Sequence, residues 1–287
     1  LQGDWSSDVC SSDLLKRRPA ALAILTDPSQ GGAETVRRHL VASGLAACYS
    51  FWVCEKLGHP QERVRRLGVQ SPLPEDLDPL HLVVLLAAPP PDPDPDELPL
   101  FGIDDGLWLH FSDHPGLMTK REVRIQLLAD LELPVTGVLW DVGAGVGSVG
   151  LEALRLRPNL QLWALERRPG AAALVRRNAR RLGVEPAGVV EGEAPEALAH
   201  LRSPDRVLIG GGGRNRREVL QAVLLRLKAQ GRVVVPLATL EAVAELRGEM
   251  EAAGLQVSVS QLQAWRGVPL GEGTRLAPLN PVVVVTA

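Results

Sequence analysis

Cysteine is scarce in this chain. Cys10, Cys48 and Cys54 form no C-x-x-C pair and have no histidine ligand pattern nearby. That spacing argues against a zinc site or a disulfide framework and makes a reducing cytoplasm the default compartment. No uninterrupted apolar run approaches the roughly 20 residues that a membrane span needs. An excess of basic residues is also missing: 31 Lys and Arg stand against 34 Asp and Glu, a formal net charge of −3. Nothing therefore suggests non-specific nucleic-acid binding. There is no Ser-His-Asp order, no metal-ligand spacing and no paired-carboxylate signature. What remains is an ordinary globular composition, 45% hydrophobic and 23% charged over 287 residues, enough for one large domain or two small ones.

The first fourteen residues, Leu1 to Leu14, start without Met and repeat Ser-Ser-Asp. They lack the basic start and apolar centre of a signal peptide and resemble a translated sequencing-adapter scar. They are set aside with Cys10, and the natural N-terminus is expected to be missing.

The chain is organised around Val138 to Gly150. Val138, Leu139, Trp140 and Val142 read as a short buried strand with Asp141 near its end. Gly143, Gly145 and Gly147 then allow a tight turn with no Cβ to keep a ligand from the backbone, and Leu151 to Leu156 reads as helix. Strand, glycine loop and helix open a nucleotide-binding α/β half. Gly145-Val-Gly-Ser-Val-Gly150 fits the dinucleotide fingerprint G-x-G-x-x-G. Asp141-Val-Gly-Ala-Gly-Val-Gly147 fits the D/E-x-G-x-G-x-G pattern of S-adenosylmethionine (AdoMet) methyltransferases, and the acid before the first glycine favours this second reading. AdoMet has no pyrophosphate, but its ammonium and sulfonium suit a carboxylate. A glycine-rich turn with no ligand is the bland alternative.

Upstream, Ala20–Leu25, Phe51–Cys54 and His81–Ala87 read as strands and Gly32–Leu45 as a helix. The proline run from Pro89 to Asp96 reads as an extended connector. From Pro115 the pattern changes. A helix from Thr119 to about Leu131 is expected, with Thr119 and Glu122 as its capping box. Strands at 161–165, 188–192, 205–209 and 231–236 alternate with helices at 169–182, 219–228 and 240–253. Gln256–Ala264 and Pro281–Thr286 are expected as two consecutive closing strands. Such βα alternation predicts a mostly parallel sheet with one reversed strand.

Glu166 ends the second of these strands, about twenty residues past the glycine loop, where an acid can accept both ribose hydroxyls of a nucleoside. Its alternative is a solvated residue in the Glu-Arg-Arg loop. The loop after the third strand offers a backbone N–H at Ala194 and a carboxylate at Glu193 for an adenine, or is simply a helix start with Pro195 in its first turn. The Gly210–Gly213 run lies where open α/β sheets bind ligands, or is a flexible turn. Lys120, Arg121, Arg124, Arg214, Arg216, Arg217, Arg266 and Arg275 cluster near these strand ends. They are compatible with a polycarboxylate substrate, which forked guanidinium donors suit. The missing acid–base signatures agree with methyl transfer, where the protein mainly aligns donor and nucleophile and excludes water.

Five ordered motifs make a family resemblance specific. They are Pro115-Gly-Leu-Met-Thr-Lys-Arg-Glu-Val-Arg124, Asp141 to Gly147, Leu165-Glu-Arg167, Glu191-Gly-Glu-Ala-Pro-Glu-Ala197, and Leu270-Gly-Glu-Gly-Thr-Arg275 followed by Leu279-Asn-Pro-Val282. From about Pro115 onward the chain resembles the decarboxylating precorrin C15-methyltransferases of cobalamin biosynthesis. Residues 15–113, with Leu25-Thr-Asp27 and Val53-Cys-Glu-Lys-Leu-Gly58, resemble the C-terminal half of a tetrapyrrole C5-methylase domain, as in the fused C5,15 enzymes. The resemblance implies a class I AdoMet-dependent methyltransferase fold over 114–287, Rossmann-like with one reversed strand, behind a truncated α/β half-domain. It also implies AdoMet contacts at Thr119, Gly143, Ala144, Gly145, Val146, Gly147, Glu166 and Ala194. A polycarboxylate tetrapyrrole (precorrin) is the implied substrate, methylated at C15 with loss of the ring C acetate carboxyl as CO₂, and a homo-oligomer is implied. C5 methylation is expected to be absent from this chain, which lacks the half-domain carrying that donor loop. The rivals are an NAD-dependent Rossmann dehydrogenase, a methyltransferase acting on RNA or protein, and a non-functional fragment whose front half cannot bury its core.

Overall fold

The computed structural model describes residues 15, 18–88, 92–111, 113, 118–210, 213, 215–270 and 273–287. Leu1–Leu14, Pro89–Pro91, Pro115–Leu117, Gly211, Gly212, Arg214, Gly271 and Glu272, all singled out above, lie outside the described residues.

The first unit contains β1 (Ala21–Leu25), α1 (Gly32–Ala42), β2 (Tyr49–Glu55), β3 (Arg63–Leu67) and β4 (His81–Ala87). They form an antiparallel sheet in the order β1-β4-β2-β3. Val36 and Leu40 of α1 close over Phe51, Val53, Val83 and Leu85, so this unit buries a core of its own. Strand β3 is not legible in the sequence because Arg63-Val-Arg-Arg-Leu67 is mostly charged. It is an edge strand whose cations meet acids: Arg63 Nη2 lies 2.7 Å from Glu55 Oε1, and both Arg63 and Arg65 pair with Asp76. Charge on an edge is a common guard against further pairing.

The second unit runs through α2 (Arg121–Asp130), β5 (Gly137–Val142), α3 (Ser148–Leu156), β6 (Leu160–Glu166), α4 (Ala171–Arg181), β7 (Gly188–Glu191) and β8 (Arg206–Ile209). It continues with α5 (Arg216–Leu224), β9 (Arg232–Leu237), α6 (Leu240–Ala252), β10 (Ser258–Leu262), β11 (Trp265–Leu270), β12 (Gly273–Pro278) and β13 (Val282–Thr286). Seven strands form one sheet, β10-β13-β9-β8-β5-β6-β7, in which only β13 runs against its neighbours. The expected single reversed strand is there. The two closing strands are not consecutive, however, because the hairpin β11–β12 is inserted between them as a separate two-stranded sheet. Its sequence, with Gly267, Pro269 and Pro278, does not read as regular strand.

Alternation along β5 divides the core. Leu139 faces the cluster built by α2, α3 and α4, with Leu127, Leu151, Leu162 and Val175. Val138, Trp140 and Val142 face the other cluster, with Val223, Val233, Leu246 and Met250 from the α5–α6 side. A period of two on a strand covered by helices on both faces produces this partition.

Helix α2 starts differently from the expectation. Its N-cap is Lys120, with no side-chain capping bond, so Thr119 and Glu122 form no capping box. Glu122 is drawn instead to Arg266, 2.6 Å away.

From Asp92, within the proline run, the chain lies on the second unit: Arg155 donates to the carbonyls of Pro95 (3.0 Å) and Leu98 (3.2 Å), and Arg181 pairs with Asp92. Ile103, Trp108 and Leu109 then enter the core under α2 and α3. No helix among the described residues is long and apolar enough to cross a membrane, and none of their His, Cys, Asp and Glu residues form a group able to hold a metal ion.

Candidate active site

Strand β5 lies in the middle of the sheet, with β6 and β7 on one side and β8 and β9 on the other. The chain order therefore reverses at β5, and the crevice beyond the carboxyl ends of β5 and β8 is a topological switch point. A cleft of about 1160 Å³ opens there.

The glycines of the loop have separate tasks. Gly143, at φ 78°, passes so close to β8 that a Cβ would lie 2.2 Å from the Gly210 carbonyl oxygen. Gly145, at φ 58°, has no heavy atom within 4 Å of its Cβ position and lines the cleft. Gly147, at φ 84°, faces Val175 and Leu151 and does not line the cleft; it opens α3. Gly150 lets α3 sit against β5 and β6, since a Cβ there would lie 2.8 Å from both Asp141 Oδ2 and Leu162.

Four of the loop amides are occupied from within. Gly143 and Ala144 donate to the Leu165 carbonyl at 2.8 and 2.9 Å, and Gly147 donates to Ala144 at 2.8 Å. The Gly145 amide donates to Glu166 Oε2 at 2.9 Å. A phosphate cradle needs such N–H groups aimed outward. These point at the protein, so the loop offers a ligand room rather than anion-binding donors.

Glu166, only 9% exposed, ends β6 at the cleft wall; its other oxygen accepts the Arg168 amide at 3.2 Å. A carboxylate accepts about four hydrogen bonds, so capacity remains toward the cleft. Thr119, Ala144, Val146 and Ala194 line the same cleft. Seven of the eight expected AdoMet contacts thus line one cleft, and Gly147 does not.

Asp141 is corrected by the structure. The sequence pattern suggested that it faces a cationic ligand, but it is 2% exposed and does not line the cleft. It lies on the α3 side of β5 and accepts the Gly150 amide at 3.1 Å. Burial, partly opposed by that amide and reinforced by nearby Glu166, pushes its carboxyl up to about 7.

The basic residues divide. Lys120, Arg216 and Arg266 line the cleft. Arg124 does not: it is fully buried, with Nε 2.9 Å from Glu152 and Nη1 2.7 Å from Asp105. Arg121 donates to the Gly102 carbonyl, Arg217 pairs with Glu249, and neither they nor Arg275 line the cleft. Three cleft cations were missed. Arg167 and Arg168 belong to the loop read as merely charged, and Arg168 lies over the Phe111 ring, 5.4 Å from its centroid. Arg18 comes from the first unit, and no local pattern announces it.

Around these cations, burial pulls the Lys120 ammonium below its usual range; Asp105 opposes this, while Arg18, Arg266 and Arg124 add to it. Burial pushes the Asp105 carboxyl up, but Arg124 and Arg266 outweigh it and hold the group low. Burial, with help from Arg18, pushes His110 down to about 3.

Comparison with known proteins points one way. A precorrin methyltransferase domain profile matches residues 110–287. A precorrin-6Y C(5,15)-methyltransferase [decarboxylating] of a Sinorhizobium species is 36% identical over 261 residues, covering 90% of this chain, which spans 61% of that relative's length. A probable cobalt-precorrin-6B C(15)-methyltransferase (decarboxylating) of Pyrobaculum calidifontis is 39% identical over 191 residues, 65% of this chain and 95% of its own. Among solved structures, a precorrin-6Y C5,15-methyltransferase from Geobacter metallireducens superposes with a TM-score of 0.62 at 36% identity, covering 66% of this chain and 98% of that one.

Proposed function

This chain belongs to the precorrin methyltransferase family, and we propose that it moves the methyl group of AdoMet to C15 of a precorrin macrocycle and releases the ring C acetate carboxyl as CO₂. The observation that carries this reading is the shared cleft, in which a glycine loop with internally satisfied amides and Glu166 face several cations.

The residues fit AdoMet better than a dinucleotide. Its nucleoside needs an acid for the ribose, which Glu166 supplies, and backbone close enough to touch, which Gly145 supplies. It brings no pyrophosphate to demand the occupied amides. Gly143, Ala144, Val146, Thr119 and Ala194 would complete its walls, and Gly147 would act by shaping the loop. When bound, AdoMet supplies an electrophilic methyl group on a sulfonium. The chain's own work is alignment and exclusion of water. Lys120, Arg168 and Arg216 would hold the carboxylates of the macrocycle so that one ring carbon faces the methyl. Decarboxylation would leave the electron pair of the broken C–C bond delocalised into the conjugated ring, and a proton would then convert the former acetate CH₂ into a methyl group.

We propose further that the division between units lies in the proline-rich connector, with residues 98–111 serving the second unit, and that C5 methylation is not carried by this chain. The first unit's described residues hold no second glycine loop of the β5 type. Incubation with AdoMet and the tetrapyrrole, followed by mass spectrometry, tests both parts. The expected product has gained one methyl group and lost one CO₂; a second methyl at C5 contradicts the assignment.

A further inference from the structure

The two units meet at the cleft. Helix α1 packs on β11, and Arg38 donates to the Gly273 carbonyl at 3.1 Å. Gly106 approaches the first unit so closely that a Cβ would lie 1.9 Å from the Gly44 carbonyl oxygen, and Cys48 Sγ donates to the Gly106 carbonyl at 3.2 Å. As a result Leu15, Arg18, Ala42, Ser43 and Leu45 line the same cleft as Thr119, Lys120 and Gly145. All five precede residue 110, where the family match begins.

Charge at this wall is unevenly settled. Arg124 is neutralised by Asp105 and Glu152, and Arg266 by Asp105 and Glu122. The Arg18 side chain forms no ion pair among the described residues; its one hydrogen bond there is a 3.5 Å contact from Nη2 to the Asp105 carbonyl. Arg18 thus stands beside a network whose carboxylates are already committed. Burial is the main cause of the lowered Lys120 and His110, and Arg18 adds to it in both.

We infer that the first unit completes the second unit's cleft and that Arg18 is a specificity-determining anchor for a peripheral carboxylate of the tetrapyrrole held there. The inference rests on the substrate class proposed above. A planar guanidinium suits a carboxylate in two-point contact, and its placement in the first unit makes that unit part of the C15 site rather than a tether.

The test uses the full chain and uroporphyrin III, an octacarboxylate tetrapyrrole whose fluorescence reports binding, with AdoMet affinity measured in parallel by calorimetry. Arg18→Gln is expected to weaken uroporphyrin binding about tenfold, the size of one charge-assisted hydrogen bond, and Arg18→Lys to weaken it less. AdoMet affinity stays at the wild-type value in both. Arg247→Gln, a surface change in an exposed pair with Glu251, leaves both ligands unaffected. Equal uroporphyrin binding by wild type and Arg18→Gln, no binding by wild type, an equal loss in Arg247→Gln, or joint loss of both ligands in Arg18→Gln overturns the anchor. Failure of AdoMet to bind wild type, with uroporphyrin binding still dependent on Arg18, faults the methyltransferase reading and not the anchor.

Discussion

The amide of Gly145 donates to Glu166 Oε2 at 2.9 Å, so one carboxylate fixes the tip of the glycine loop and also faces the cleft. The loop after β5 and the end of β6 are thus coupled by residues twenty-one apart, and their replacement separates loop shape from ligand contact.

Gly143→Ala and Gly145→Ala have different consequences. Both add a Cβ at positive φ, a strain of about 1 kcal/mol. At Gly143 the new atom also meets the Gly210 carbonyl at 2.2 Å, so the strand ends must part. Thermal denaturation is expected to show a large loss for Gly143→Ala and a small one for Gly145→Ala. The second variant keeps its fold but binds AdoMet more weakly, because its methyl group enters the cleft. Equal melting temperatures for the two would contradict the close approach of β5 and β8.

Arg124 is a structural residue here. It is fully buried between Asp105 and Glu152, and Glu152 also accepts the amides of Gly102 and Ile103. Removing one partner of such a pair leaves uncompensated buried charge, a cost of about 3–5 kcal/mol. Urea unfolding of Arg124→Ala is expected to show a loss of that order. A stable variant with only a weakened substrate KM would return Arg124 to the substrate-binding set.

Asp141 sets a pH signature. Its folded pKa, about 7, lies above the ordinary aspartate value of 3.8, so between these values the native state holds a proton that the unfolded state has released. The contribution is complete below about pH 4, declines as pH rises, and is lost above about pH 7. Asp141→Asn, which retains an oxygen for the Gly150 amide, removes this decline. The stability difference between variant and wild type therefore moves in the variant's favour from pH 4 to pH 8. A difference independent of pH would show that Asp141 is ionised throughout.

Much of the second unit was legible because its signals are local. An apolar strand, three spaced glycines and a helix need only a dozen residues, and Glu166 follows at the distance that one βα step requires. What sequence could not show depends on contacts across the chain. Asp141 looks like a ligand group until alternation along β5 turns it toward α3. Thr119 and Glu122 have the spacing of a capping box, but Arg266, 144 residues away, takes the Glu122 carboxylate. Strand β3 is a strand because Glu55 and Asp76 neutralise its arginines. Arg18 reaches the cleft only through docking of the first unit on β11, for which no short motif exists.

The central claim is that the glycine loop and Glu166 bind AdoMet, and isothermal titration of the full chain tests it most directly, with Glu166→Ala as the variant and NADH as the competing ligand. The account predicts micromolar AdoMet binding by wild type, weakening of about tenfold or more in Glu166→Ala, as expected for lost hydrogen bonds to a charged group, and no heat with NADH. Heat with NADH and none with AdoMet would contradict it.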